Sequence, residues 1–355
     1  MTSSKPAPIL IVGQGLAGTL LAWQLDRLGQ SMQIVDREER LTSSKVAGGI
    51  VTPITGMRMV KTWRLDDFFP AALELYRWIE NKTSSSLFFE KPIQRLFKNK
   101  QEQDEFNHRM SEPDFADYVL QTSLADPSQL KASFGGFVMK GGYLDVSQFL
   151  QASRRIFTER GYYQSGDLNS KDLELRPDGW HWHQDQQKRV YQQVVFCQGW
   201  NKKSNPLFDW VPFKPAKGEV LEISCPGLSE KHIINRSGFI APLGNGKFRS
   251  GSTYEWQQLD HRATDAGRQE ISAKIRAMTD LPFKITDHQA AVRPIIENSK
   301  ALLGCHPDKS KKDLAFFNGL GSKGVLNGPF LSAMLANHLV HGHPIEESVD
   351  LQKNF

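Results

Sequence analysis

The chain has 355 residues, 39% of them hydrophobic, with 44 lysines and arginines against 39 aspartates and glutamates and a formal net charge of +5. That length exceeds one comfortable core and predicts two domains, or one domain carrying a large insertion; the scattered charges exclude a like-charged nucleic-acid tail, and no apolar run has the length to cross a bilayer. The three cysteines, Cys197, Cys225 and Cys305, are far apart and form no CxxC pair, which indicates neither a disulfide framework nor a zinc site and fits a reducing cytoplasm. The first residues, MTSSKPAP, lack a basic stretch followed by an apolar one, so an unexported protein is expected.

Residues 8–12 are almost wholly apolar, as in a strand buried on both faces of a parallel sheet. Gly13, Gly15 and Gly18 follow directly, and Leu16, Ala17, Leu20, Leu21, Gln24, Leu25 and Leu28 then recur at helical spacing, with Gly29 as the stop. The glycines serve different ends, Gly13 permitting the tight turn, Gly15 the close approach to a pyrophosphate, and Gly18 the packing of helix on strand. The helix N-terminus offers unpaired N–H groups to the phosphates. Asp36 ends the next strand, residues 33–35, at the distance of about 20 residues where a carboxylate meets ribose hydroxyls. An acid here argues against a 2′-phosphate and predicts FAD or NAD rather than NADP.

A small-residue loop, LTSSKVAGGIVTP, precedes a helix predicted over residues 63–79. Residues 87–140 mix short alternating runs with a polar helical stretch, KNKQEQDEFNHRM. GGYLDVSQFLQASRRIFTERG predicts a turn and an amphipathic helix capped by Asp145 and stopped by Gly161. VYQQVVFCQGW reads as a strand running into a glycine turn, and residues 217–256 alternate with the period of half-buried antiparallel strands. Near the end, LAFFNG is a buried strand, LGSKG a second glycine-rich turn and VLNGPFLSAMLANHLV a helix with Pro329 near its first turn. Two strand, turn and helix units at opposite ends of the chain suit an extended ligand, and so FAD over NAD. The expected fold class is α/β, a Rossmann-like FAD-binding domain (residues 1–86, 141–214 and 288–355) with a second α+β substrate domain (87–140 and 215–287) on a mostly antiparallel sheet.

In these segments the chain resembles the D-amino-acid oxidase, or DAO, superfamily of FAD-dependent oxidoreductases, which includes glycine and sarcosine oxidases. GQGLAG with Asp36 is similar to its ADP-binding fold, and the resemblance implies cofactor contacts from Gly13, Gly15, Leu16, Ala17, Gly18, Asp36 and Arg37. SSKVAGGI resembles the family's second small-residue stretch, which implies that Ser43, Ser44, Gly48, Gly49 and Ile50 pass beside the pyrophosphate and flavin. GGYLD matches the family's usual lead into a helix, and VVFCQGW resembles the turn beside the adenosine, with Cys197 and Gly199. FFNGLGSKGV resembles the flavin-contacting end, implying roles for Gly319, Gly321, Ser322, Lys323, Gly324 and Val325. Backbone amides and a helix dipole there would stabilise charge at flavin N1 and C2=O, and Lys323 would add a full charge.

For the substrate, the resemblance points to Arg293 in AVRP as the partner of a substrate carboxylate, a role suited to a planar guanidinium. Tyr254 falls where glycine-oxidase-like members place a substrate-contacting side chain, and Phe239 stands where some carry a tyrosine. Arg249 lies near the place where sarcosine-oxidising members use a lysine to assist oxygen, which leaves oxidase and dehydrogenase both open. His181 and His183 in WHWH are expected to face solvent, Cys305 to be an ordinary thiol with the FAD held noncovalently, and the Arg58, Lys61 and Arg64 cluster to be a plain helix face. No metal is expected. The implied activity is oxidation of the C–N bond of a small amine or amino acid by hydride transfer to flavin N5. Two alternatives stay open: a tRNA-modifying oxidase of the wobble-uridine pathway, although no basic and aromatic patch calls for nucleic acid, and a noncatalytic FAD-binding protein. The oligomeric state is left open.

Overall fold

Apolar stretches far apart in the sequence come together as one six-stranded sheet, ordered Tyr163–Ser165, Met32–Asp36, Ile9–Val12, Gln193–Phe196, Leu314–Asn318 and Leu302–Cys305. All its pairings are parallel except the last. The computed structural model describes residues 8–200 and 205–354, so the N-terminal residues 1–7 considered for an export signal lie outside the described residues. Alternation along Ile9–Val12 sends Ile9 and Ile11 to one face and Leu10 and Val12 to the other, and both faces are covered. On the first face pack the helices Leu16–Arg27 and Gly324–His341, the latter also against Leu65–Thr83. On the second, Trp180, Trp182 and Tyr191 of a small three-stranded sheet close the core. The tryptophans of WHWH therefore point inward. His183 is exposed as expected, while His181 is largely covered and sits 2.9 Å from Asp178.

Asp145 caps the helix Val146–Glu159 by accepting from the Gln148 N–H at 3.0 Å. The residues before it are a strand, Gly142–Leu144, rather than a free turn, because they pair with Ile50–Val51 on one side and Phe88–Glu90 on the other. Pro329 stands one turn deeper than expected, as the sixth residue of Gly324–His341. A proline inside a helix leaves the carbonyl four residues back without its donor, at a cost of about 3 kcal/mol or more. Here that carbonyl, Val325 O, accepts a hydrogen bond from the buried Tyr76 hydroxyl at 2.7 Å.

The second sheet has eight strands in the order Lys284–Arg293, Ala216–Ser224, Lys247–Gly251, Phe239–Gly244, Ile233–Asn235, Ile93–Leu96, Gly136–Met139 and Val119–Gln121. Its pairings are antiparallel apart from that between Ile233–Asn235 and Ile93–Leu96. The helix Asp265–Arg276 covers one face through Ile271 and Ile275, packed on Leu221, Ile223, Ile240 and Phe248. Lys284–Arg293 runs through the boundary expected at 288 and ends at Arg293, where Pro294 stops the ladder.

Candidate active site

The glycine turn is built for close backbone contact. Gly13 has φ of +104°, and a Cβ on it would lie 2.6 Å from the Cys197 carbonyl oxygen of the neighbouring parallel strand. A Cβ on Gly18 would lie 1.9 Å from Gly13 O, so Gly18 serves the helix-on-turn packing and does not line the cavity. Asp36 is fixed by the turn itself, accepting from Gln14 N–H at 2.7 Å and from Glu38 N–H at 2.8 Å. Arg154 brackets this acid, 3.4 Å from Asp36 and 2.6 Å from the Gln14 side-chain oxygen. It comes from the polar face of an amphipathic helix, where nothing in the local sequence marks it. Ser44 Oγ accepts from the Leu16 N–H at 3.0 Å, joining the small-residue loop to the helix N-terminus.

A cavity of about 370 Å³ runs from these residues to the second sheet. Of the residues singled out for the cofactor, Gly13, Gly15, Leu16, Ala17, Asp36, Arg37, Ser43, Ser44, Gly48, Gly49, Ile50, Cys197 and Gly199 line it, as do Gly321, Ser322, Lys323, Gly324 and Val325. Gly319 stands outside the wall with φ of +79°, beside Ile296, and helps turn the chain out of the strand. Asn318, which nothing in the sequence pattern marks, both lines the cavity and donates to Gly199 O at 2.7 Å, tying the two glycine turns together.

At the far end Arg293 and Phe239 line the cavity with Asn235 and Ser252. A Cβ on Gly48 would lie 2.4 Å from Phe239 Cζ, so the small-residue loop leaves room for that ring. Arg293 donates to Thr253 O at 3.1 Å and lies over the Tyr254 ring, 4.3 Å from its centroid. Burial presses its pKa down, and the Tyr254 hydroxyl group opposes this; a guanidinium nevertheless stays charged. No described carboxylate pairs with it. Gly218, another residue that the sequence alone does not single out, makes room for it: a Cβ there would lie 2.0 Å from Arg293 Nη2. Lys323 also faces the cavity without a described carboxylate partner, donating to Thr62 Oγ1 at 3.2 Å, and burial lowers its pKa.

Two of the expected substrate residues are placed elsewhere. Tyr254 is half-exposed, stacks on Trp256 with ring centroids 5.8 Å apart, and supports Arg293 from outside the wall. Arg249 is committed to Glu222 at 2.7 Å and to Ala47 O at 3.2 Å, outside the cavity wall. Lys61 and Arg64 are engaged with Asp66 and Asp67. Cys305 is away from the cavity, 3.6 Å from His338 Nε2, with burial pushing its thiol up to about 11. Among the described residues no group of three or more His, Cys, Asp or Glu could hold a metal ion, and no helix is long and apolar enough to cross a membrane.

The donor set fits FAD: a glycine turn at a helix N-terminus, a carboxylate ending the next strand, and a second glycine turn opening the helix Gly324–His341, all on one cavity. Fold and site together define an FAD-dependent oxidoreductase. Residues 8–338 match the family model DAO, FAD dependent oxidoreductase, and the chain belongs to that family. Among solved structures it is similar to iminodiacetate oxidase of Chelativorans sp. BNC1, with a TM-score of 0.78 at 18% identity over 95% of this chain and 96% of that one. Glycine oxidase of Bacillus cereus ATCC 14579 superposes with a TM-score of 0.75 at 19% identity, again over 95% and 96%. Curated relatives include the tRNA 5-methylaminomethyl-2-thiouridine biosynthesis bifunctional protein MnmC of Shewanella putrefaciens (strain CN-32 / ATCC BAA-453), 22% identical over 97% of this chain and 58% of the relative. The chain spans between 38% and 58% of the length of the bifunctional relatives it matches. The uncharacterized oxidoreductase YurR of Bacillus subtilis (strain 168) is 23% identical over 95% of both chains.

Proposed function

We propose that this enzyme oxidises the C–N bond of a small amine or amino acid that carries a carboxylate, with FAD held noncovalently. One observation carries the reading: the part-buried Arg293 guanidinium faces the cavity with a backbone carbonyl and an aromatic ring as neighbours and no described carboxylate to neutralise it. A buried cation without a counterion is costly, and a substrate carboxylate completes it. Bound FAD supplies the two-electron acceptor for the donor's oxidation to an imine, which water hydrolyses.

The chain's own groups bind and orient. Arg293 fixes the carboxylate end, so that the α-carbon is held in one place relative to the cofactor. Phe239, Asn235 and Ser252 shape the remaining wall. Lys323 and the N-terminus of Gly324–His341 bring positive potential to the opposite turn. The three cysteines are free thiols, which supports a reducing compartment such as the cytoplasm. The deciding experiment is anaerobic bleaching of the holoenzyme by glycine, sarcosine, iminodiacetate and L-proline, each beside its decarboxylated amine, followed by admission of air. Bleaching by a carboxylate donor that Arg293→Ala abolishes supports the reading, and the rate of recolouring separates oxidase from dehydrogenase.

A second reading, an oxidase acting on a tRNA-borne amine, is favoured by the bifunctional tRNA relatives and by exposed aromatics beside the site. Trp63 follows the Thr62 that meets Lys323 and carries Lys300 over its ring at 4.6 Å, while Tyr254 and Trp256 stack beside Arg293. Bases stack on such rings. Salt-dependent binding of tRNA to the holoenzyme, weakened by Trp63→Ala and Trp256→Ala, is the result this reading requires.

A further inference from the structure

In the strand Ala216–Ser224, Gly218 faces Arg293 and the flanking Lys217 and Glu219 point to the opposite side. Neither reaches water: Lys217 is 1% exposed and Glu219 3%. The Lys217 ammonium lies 2.7 Å from Asp260 and 4.0 Å from Glu219. Glu219 accepts from the Thr264 N–H at 2.9 Å and its hydroxyl at 2.8 Å, and His288 Nε2 stands 2.7 Å from the same carboxylate. The Glu219 N–H donates to Thr253 Oγ1 at 2.9 Å, and the Lys217 backbone exchanges hydrogen bonds with Glu255 at 2.7 and 3.0 Å. Residues 253–264 are thereby pinned to the back of the strand at both ends.

That pinned segment is also what holds Arg293, through Thr253 O and the Tyr254 ring. Withdrawing the Lys217 ammonium from water is costly compared with placing an apolar residue of the same volume there, so its presence calls for a positional role. We propose that Lys217 and Asp260 are positioning residues: their ion pair, buried at the lysine end, fixes the 253–264 segment so that Thr253 and Tyr254 hold the Arg293 guanidinium in the cavity. This rests on the reading of Arg293 as the carboxylate anchor.

The test is titration of the FAD absorption of the holoenzyme with acetate, in the wild type, Arg293→Ala, Lys217→Met, Asp260→Asn and the double variant. Lys217→Met leaves Asp260, already 36% exposed, to be solvated, and leaves the buried Glu219 carboxylate to Thr264 and His288. Expected is a loss of acetate affinity of roughly tenfold or more in each single variant with FAD affinity unchanged, and no further loss in the double variant. If Lys217→Met does not fold, Asp260→Asn carries the comparison alone. Wild-type affinity for acetate in the folded variants overturns the proposal while leaving the anchor intact. A parallel loss of FAD affinity also overturns it, because the network would then be merely structural. Acetate binding that Arg293→Ala leaves unchanged overturns the anchor itself.

Discussion

Gly218→Ala perturbs the anchor without replacing a charged residue. The new Cβ would lie 2.0 Å from Arg293 Nη2, 2.2 Å from Cζ and 2.4 Å from Nη1. Heavy-atom contacts need about 3.5 Å, so the guanidinium must withdraw by roughly 1.5 Å. What it meets is the far end of a flexible side chain, so the strand is retained and Arg293 moves. The move breaks the 3.1 Å hydrogen bond to Thr253 O and the packing on Tyr254. The strand position itself favours alanine over glycine by about 0.4–1 kcal/mol through the unfolded state, so thermal stability is expected to hold. Misplacement of an orienting group by about 1 Å costs on the order of a hundredfold in turnover. We expect kcat/KM for a carboxylate-bearing donor to fall by about that factor in anaerobic bleaching, with FAD content unchanged and the decarboxylated amine oxidised at its wild-type rate. Unaltered bleaching by the carboxylate donor would refute the placement of Arg293 as anchor.

Three other outcomes follow from the same structure. Tyr76→Phe leaves the Val325 carbonyl above Pro329 buried and unpaired, and thermal or urea unfolding is expected to show a loss of about 1–3 kcal/mol. Asp36→Ala removes the acid that organises the Gln14 N–H and that we assign to the ribose, and FAD affinity measured by fluorescence titration is expected to weaken by roughly ten- to a hundredfold, about 1.5–3 kcal/mol. His306 uses both ring nitrogens in its neutral form, Nε2 toward Leu207 O at 3.1 Å and Nδ1 toward the Asp308 N–H at 3.0 Å, and burial lowers its pKa. Its contribution to stability is therefore complete above the ordinary histidine value near 6.5 and is lost as pH falls below it toward the lowered folded-state value. Wild type minus His306→Gln unfolding free energies, taken from pH 8 to pH 5, should shrink with acidification; a flat difference would contradict this.

The glycine turn and its acid are legible in the sequence because the signal is local: Gly13 to Asp36 encode turn, helix and acid within one segment, and the structure sets Gly13, Gly15, Leu16, Ala17 and Asp36 in one cavity wall. The turn around residues 319–324 is legible for the same reason. What escapes reading depends on contacts between distant strands. Lys217 and Glu219 look in sequence like the solvent face of an alternating strand, yet segment 253–264 and helix Asp265–Arg276 cover that face. Gly218 looks like an ordinary strand glycine until Arg293, brought in by the antiparallel pairing of residues 216–224 with 284–293, fills the space above it. Pro329 reads as a first-turn residue because the start of the helix cannot be fixed from glycines alone, and the compensating Tyr76 lies about 250 positions away along the chain. Arg249 and Tyr254 fall in the family's order, but ladder register and an outward backbone turn carry both side chains outside the cavity wall.

We propose that Arg293 receives the carboxylate of a donor that FAD oxidises. Anaerobic addition of carboxylate-bearing amines to the holoenzyme tests it most directly. At least one such donor is expected to bleach the flavin absorption, its decarboxylated counterpart to do so far more slowly, and Arg293→Ala to remove the difference. Bleaching by the carboxylate donor at the wild-type rate in Arg293→Ala, or no bleaching by any of them in an FAD-replete wild type, would contradict it.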